Sequence, residues 1–306
     1  MPMKFVRSSA PLIAPVFSQE DILFYKWLAG FVDGDACFYH YEKRNETSLQ
    51  IKQATWNLHL LEQLKERFGG SIRKITDGGK TNSHHYSLAQ RDRVIEVLHG
   101  VNGYIRGTSR TVQFKKFCEI YNIIYIEPHA LTKPDDPYLA GMFDADGSIS
   151  LYNTDSKKGR GLTISMSGKY KDDIECYKTI FGGNITTRPI RDCSDWQIGA
   201  QKDVLFAQES LVKNLKSNKL IRFKLIHLFY KLRENKAYLE DSPFFKDWED
   251  LLENWYNNGA DFHRKNCKGR PYTQEARDLK DAKKKFKEDI EDMVDKIITN
   301  TDKFKT

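Results

Sequence analysis

Apolar positions along residues 20–235 keep two alternating rhythms. DILFYKWLAGFVDGD (21–35) carries Ile22, Leu23, Tyr25, Trp27, Leu28, Phe31 and Val32 at helical spacing and predicts a helix. Period-2 segments follow it. Ala36, Phe38 and His40 alternate with Cys37, Tyr39, Tyr41 and Lys43, and Leu49, Ile51 and Gln53 alternate with Ser48, Gln50 and Lys52. Such alternation predicts strands with one face packed on helices and the other polar, aromatic and basic. LHLLEQLKERF then predicts an amphipathic helix, SIRKI and HHYSLAQ two more strands, and RTVQFKKFCEIY a closing helix.

The whole series recurs. Residues 28–36 read LAGFVDGDA and residues 139–147 read LAGMFDADG. Phe68-Gly69-Gly70 and Phe181-Gly182-Gly183 stand at near-equal distances beyond them, each after a helical stretch and before a strand. In the second copy Ile149 and Leu151 oppose Ser148, Ser150 and Tyr152, while Leu162, Ile164 and Met166 oppose Thr163, Ser165 and Ser167. A unit of about 100 residues, in the order helix, two strands, helix, two strands, helix, is thus present twice. The predicted fold class is α+β: two pseudo-symmetric repeats, each an antiparallel four-stranded sheet backed by helices. The expected divisions are an N-terminal arm (1–19), a first repeat (20–125), a linker marked by Pro134 and Pro137 (126–138), a second repeat (139–236) and a charged helical extension (237–306).

Charge narrows the range of partners. The 306 residues carry a formal net charge of +7, with 49 Lys and Arg against 42 Asp and Glu. Residues 237–306 hold 14 basic and 16 acidic side chains, so residues 1–236 hold 35 against 26. A body this basic suits a polyanion. With 40% hydrophobic residues, wholesale disorder is excluded. No apolar run approaches the ~18 residues of a membrane helix. The five cysteines (Cys37, Cys118, Cys176, Cys193, Cys267) form no CxxC pair, which fits a reducing interior rather than a disulfide framework or a zinc finger. MPMKFVRSSAPLIAPVFSQ has basic residues and serines without acids; it reads as an extended arm or a weak transit peptide.

The motif helices pose two physical questions. Gly30 and Gly34 are four residues apart, hence on one face, and so are Gly141 and Ala145. Glycine inside a helix costs about 1 kcal/mol against alanine, and its use here points to backbone-to-backbone approach of the two helices. Their C-terminal ends then meet carrying Asp33 and Asp35, and Asp144 and Asp146. Acids at the negative end of a helix dipole are unfavourable, and like charges brought together add repulsion. A cation removes both penalties, and oxygen ligands suit Mg²⁺. Asp35 and Asp146 are read as metal ligands; Asp33 and Asp144 are either ligands or helix stops.

These residues carry a resemblance. LAGFVDGDA and LAGMFDADG are similar to the signature helices of the LAGLIDADG homing endonucleases in their single-chain, two-repeat form, over residues 20–235. The resemblance implies that the motif helices form the domain interface and that the eighth-position acids, Asp35 and Asp146, bind the catalytic metals, with the carbonyls of Gly34 and Ala145 contributing. The ninth position departs from the family pattern at Ala36. Further implications are hydrolysis of one phosphodiester in each strand of duplex DNA, cuts across the minor groove with short 3′ overhangs, and two or three Mg²⁺ ions, with Mn²⁺ substituting. Arg110 and Lys219, before the last helix of each half, are the basic side chains implied near each centre; phosphate contact or helix capping is the competing reading. Gln53 resembles the residue that orients water, and Met166 stands as its counterpart, so the two strand cuts are expected to be unequal unless the alignment slips.

Sequence readout is assigned to the polar strand faces in the major groove. These are Tyr39, Tyr41, Lys43, Ser48, Gln50, Lys52, Arg73, His85 and Ser87 in the first half, and Ser148, Ser150, Tyr152, Thr163, Ser165, Ser167, Thr186, Arg188 and Gln197 in the second. The two sets differ, so the expected DNA target is asymmetric. His84-His85 reads as a strand end, FHRKNCKGR (262–270) as a basic loop and TDGGKT (76–81) as a hairpin turn rather than a P-loop. Trp248, Leu251, Leu252 and Trp255 suggest a packing helix, and the run Lys283, Lys284, Lys285 and Lys287 a solvated helix face. The rival functions are an intron RNA maturase on the same scaffold and a DNA-binding regulator without chemistry. A monomer without membrane attachment is expected, placed in a mitochondrion or chloroplast in a eukaryote, or in the cytoplasm of an archaeal or phage host.

Overall fold

A computed structural model describes residues 15–257 except 44–45, 78–79 and 155–158. The first half runs α1 (Gln19–Asp35), β1 (Ala36–Tyr41), β2 (Glu46–Ala54), α2 (Leu58–Phe68), β3 (Ser71–Asp77), β4 (Lys80–Leu88), α3 (Arg91–Val101) and α4 (Thr108–Tyr121). The second runs α5 (Pro137–Asp146), β5 (Gly147–Asn153), β6 (Arg160–Gly168), α6 (Lys171–Phe181), β7 (Asn184–Arg188), β8 (Cys193–Ile198), α7 (Gln201–Leu211) and α8 (Lys219–Glu234). A further helix, α9 (Phe245–Asn257), follows. The sheets are antiparallel, in the orders β1-β2-β4-β3 and β5-β6-β8-β7. The repeat is therefore as the sequence predicts, with one addition: each half closes on two helices, α3 with α4 and α7 with α8.

Local chemistry sets the ends of these elements. Ser18 caps α1, its hydroxyl accepting from the Asp21 N–H while the Asp21 carboxylate accepts from the Ser18 N–H. Asp136 caps α5, and Pro137 takes the first helical position, where a missing N–H costs nothing. The Phe-Gly-Gly triplets follow from backbone geometry. Gly69 and Gly70 adopt φ of 76° and 82°, and Gly182 and Gly183 adopt 74° and 81°. A Cβ on Gly70 would also lie 2.7 Å from the Ser87 carbonyl oxygen, and one on Gly183 2.4 Å from that of Gln197.

The core is continuous across the halves because α1 and α5 are packed side by side. A Cβ on Gly30 would stand 2.0 Å from the Tyr138 carbonyl oxygen, and one on Gly141 1.9 Å from that of Trp27. Nothing larger than hydrogen fits at either position. On the same stripe, a Cβ on Gly34 would stand 2.4 Å from the Ala145 Cβ. Leu28, Ala29, Phe31, Val32, Leu139, Ala140 and Phe143 are fully buried around this contact. Helix α9 packs Trp248 and Trp255 around Phe229 of α8, so residues 245–257 join the second half's core. The arm up to residue 14, the loop 262–270 and the 283–287 lysine run lie outside the described residues. Among the described residues no helix is long and apolar enough to cross a membrane.

Candidate active site

The packed motif helices deliver Asp35 and Asp146 to one place at their C-terminal ends. The Asp146 carboxylate lies against Gly34, where an added Cβ would be 2.9 Å from its Oδ2. Burial and the neighbouring Asp146 push the Asp35 carboxyl up to about 6. Asp146 is raised as well, by the protein packed about its carboxyl, with Lys219 and Arg110 opposing, although its side chain still reaches solvent. Two acids that both resist ionisation, at helix ends with no basic residue in the last turn, leave a deficit of positive charge. Among the described residues no third His, Cys, Asp or Glu completes a metal cluster. The protein's donor set is carboxylate and carbonyl oxygen, which fits an oxygen-preferring divalent cation that keeps water or substrate ligands.

Both basic residues singled out from the sequence converge on these helix ends. Arg110, in the first turn of α4, donates from Nε to the Val32 carbonyl at 3.0 Å and from Nη1 to Gln113 at 2.6 Å. Lys219, the first residue of α8, donates from Nζ to the carbonyls of Phe143 and Asp144 at 2.8 Å and of Ala145 at 3.1 Å. Val32 and Phe143 occupy the same motif position, so each cation caps the corresponding helix end. Burial lowers Lys219 to about 8, against the pull of Asp144, Asp35 and Asp146. The Ala145 carbonyl is thereby already engaged by an ammonium group.

The sixth-position acids resolve as structural. Asp33 accepts from the Arg106 N–H at 2.8 Å and the Tyr138 hydroxyl at 2.7 Å. Asp144 accepts from the N–H groups of Lys216 and Ser217 at 2.8 and 3.0 Å and from the Trp27 indole at 2.9 Å. Each acid holds the loop entering its own half's last helix and an aromatic of the other motif helix. That explains a sequence position where ligand and helix stop had both stood open.

Gln53 is buried and donates from Nε2 to Asp35 Oδ2. The expected counterpart is corrected: Met166 pairs with Gly147 as Ile51 pairs with Ala36, so Met166 matches Ile51 and Gly168 matches Gln53. The extra turn Thr55–Asn57 lengthens the first half's strand-to-helix connection by two residues, so Gln53 and Met166 stand equally far before the helices that follow them. Tyr86 and Trp196, which donate to the carbonyls of Gly69 and Gly182, confirm the register. A Cβ on Gly168 would meet Ile174 Cγ2 at 2.9 Å, so the second half has no room for an amide there.

The polar sheet faces form cross-strand rows. Lys52, His85 and Arg73 align across β2, β4 and β3, and Gln50 aligns with Ser87. Ser148 aligns with Ser165 and Gln197, Ser150 with Thr163, and Ser167 with Asp195 and Thr186. Tyr39, Tyr41, Tyr152 and Arg188 are exposed, and Lys43 lies exposed in the turn after β1. Ser48 has the expected parity, opposite Tyr39, but is buried and accepts from Gln50 Nε2 at 3.0 Å, so it cannot present its hydroxyl freely. The sequence reading missed Asp195, which accepts from Ser167 at 2.5 Å and pairs with Arg188. Its parity with Gln197 was the available signal. His84 is buried at the middle of β4 and not at a strand end, as the sequence reading has it, because that strand starts at Lys80.

A family model described as LAGLIDADG endonuclease matches residues 28–121. The chain is 34% identical over 249 residues to the intron-encoded RNA maturase bI4 of Saccharomyces cerevisiae, covering 79% of this chain and 38% of that protein. It is 32% identical to a probable intron-encoded endonuclease, aI2, of Debaryomyces hansenii (76% of this chain, 37% of that one). It is 28% identical to the intron-encoded DNA endonuclease ai2a of Dictyostelium discoideum (76% and 74%). The chain thus spans under two fifths of the two yeast relatives. Among solved structures, the LAGLIDADG meganuclease I-AabMI bound to uncleaved DNA shares the fold at a TM-score of 0.56 and 16% identity, over 75% of this chain and 97% of that one.

Proposed function

The chain belongs to the LAGLIDADG family in its single-chain, two-repeat form, and from that premise we propose that it is a site-specific DNA endonuclease. The observation carrying this reading is the convergence of Asp35 and Asp146, one acid from each half, at the joined helix ends, each followed directly by the first strand of its half's sheet. One acid per half matches one phosphodiester per strand. Asp35 and Asp146, with the carbonyl of Gly34, would hold Mg²⁺ or Mn²⁺; the carbonyl of Ala145 could join them only through its second lone pair, the first being taken by Lys219. Bound there, divalent ions would supply Lewis-acid polarisation of the phosphate, activation of water and stabilisation of the leaving oxygen.

The chain's own groups do the rest. Gln53 fixes the Asp35 carboxylate, while Lys219 and Arg110 hold the helix ends and add positive charge facing a phosphate. The rows of strand side chains lie in the major groove and read an asymmetric target, because the two faces carry different residues. We assign a monomer acting in an intracellular, organellar setting, in keeping with the intron-encoded relatives.

A second reading, intron RNA binding by the same chain, is favoured by the similarity to the yeast maturase. The test is cleavage of a randomised duplex library in Mg²⁺ or Ca²⁺ by the wild type, Asp35→Asn and Asp146→Asn. Mg²⁺-dependent double-strand cuts at one long site, reduced to nicks or nothing by either substitution, are the expected result. No cut at any site, with tight binding to an intron transcript, transfers the proposal to the maturase reading.

A further inference from the structure

A chain of amides, buried at Gln53 and Asn57 and half-buried at Asn218, leads from Asp35 to the second half. Gln53 donates from Nε2 to Asp35. Asn57 donates from Nδ2 to Gln53 Oε1 at 3.1 Å, and its Oδ1 accepts from the backbone N–H of Asn218 at 3.2 Å. Asn218 Nδ2 also donates to the Trp56 carbonyl at 2.5 Å. Asn218 precedes Lys219, the ammonium that caps the other motif helix. A backbone N–H can only donate. Asn57 must therefore turn its oxygen to Asn218 and its NH₂ to Gln53, and Gln53 must turn its NH₂ to Asp35. The polarity of the whole series is fixed from the second half.

Among the described residues the second half has no equivalent. Gly168 replaces Gln53, and only Lys169 and Tyr170 separate it from α6, whereas the extra turn Thr55–Asn57 precedes α2. The reciprocal contact between halves, Thr108 N and Oγ1 to Asp173 Oδ1 at 2.8 and 2.6 Å, ends at that carboxylate.

We propose that Asn57 is a positioning residue: it fixes the Gln53 amide toward Asp35 and ties that acid to the loop bearing Lys219, so that the two cleavage centres are built unequally and the relay serves one strand's cut. This rests on the endonuclease reading.

The experiment follows single-turnover cutting of a duplex labelled on each strand, with Gln53→Ala, Asn57→Ala, Asn57→Asp and the double variants. Asn57→Ala should slow the strand that Gln53→Ala slows most, by about tenfold to a hundredfold, with DNA affinity unchanged. Asn57→Asp keeps the acceptor for Asn218 but offers no donor, so Gln53 turns its oxygen to Asp35; it should cut that strand more slowly than Asn57→Ala. In the Gln53→Ala background, changes at Asn57 should leave the strand ratio where it is. Equal slowing of both strands, or additive effects, overturns the proposal, since a merely structural residue behaves that way. If the wild type cuts no DNA, the endonuclease reading fails separately. Unfolding in urea without metal then decides the relay: coupling between positions 53 and 57 of roughly threefold to thirtyfold in the unfolding constant supports it, and no coupling overturns it.

Discussion

The Trp27 indole N–H donates to the Asp144 carboxylate at 2.9 Å, and the Tyr138 hydroxyl donates to Asp33 at 2.7 Å, as images of one another across the motif helices. Trp27 and Tyr138 are also the residues whose carbonyl oxygens face Gly141 and Gly30. Each aromatic thus fixes both the separation of the helices and the acid that anchors the next loop. The sixth-position acids are committed to the interface, and the endonuclease reading gives the chemistry to the eighth-position acids.

Trp27→Phe and Tyr138→Phe should each cost about 1–3 kcal/mol, because a buried carboxylate loses a donor it cannot replace. Equilibrium unfolding in urea measures this. Trp27→Phe should also increase amide exchange at Lys216 and Ser217, whose N–H groups share Asp144.

Gly30→Ala and Gly141→Ala should be more damaging still. A methyl group 2.0 Å or less from a carbonyl oxygen cannot be accommodated by rotating a side chain, so the helices must part. We expect about 3 kcal/mol or more of destabilisation for either, and separation of Asp35 from Asp146, seen as loss of cleavage before loss of secondary structure.

The glycine spacing was legible because helical period and the cost of glycine leave few reasons for it. So were the repeat and the strand parity, which depend on local periodicity. What eluded the sequence was long-range. The Asp33 and Asp144 partners come from loops some 70 residues away, at Arg106 and Lys216. The extra turn at Thr55–Asn57 shifts the strand-to-helix spacing of the first half, so Met166 was matched to Gln53 in place of Gly168. Helices α3 and α7 are the additions that the sequence reading leaves unassigned, between the last strand and the closing helix of each half. Ser48 kept its predicted face but is covered by neighbours, which parity alone does not report.

Asp35→Asn should stabilise the metal-free protein while abolishing cleavage. The carboxyl is raised to about 6 in the fold against 3.8 as its ordinary value, so between those pH values the unfolded chain releases its proton first. Stability attributable to this group therefore falls as pH rises from about 4 to 6 and stays reduced above it. Removing the charge should return about 1–3 kcal/mol at pH 7. Thermal melting in EDTA from pH 4 to 8 should show a flatter profile for Asp35→Asn than for the wild type. An unchanged slope would mean that the acids are not a source of strain.

Asp195 offers a prediction about how the second sheet face discriminates. It stands on the polar face of β8, where it accepts from Ser167 and pairs with Arg188, itself exposed at the end of β7. On a face proposed to meet DNA a carboxylate opposes phosphate, yet it also fixes the direction of an arginine that would otherwise grip any phosphate within reach. Asp195→Asn should remove both effects. Non-specific affinity should rise, and the dependence of log K on log salt should steepen by about 0.9, the contribution of one further phosphate contact. Discrimination at the bases beneath β7 and β8 should fall by about 1–3 kcal/mol per pair. Binding titrations against matched and substituted duplexes at several salt concentrations separate the two effects. A steeper slope with specificity intact would assign Arg188 to the backbone alone, and lost specificity with an unchanged slope would make Asp195 a direct reader of the base edges.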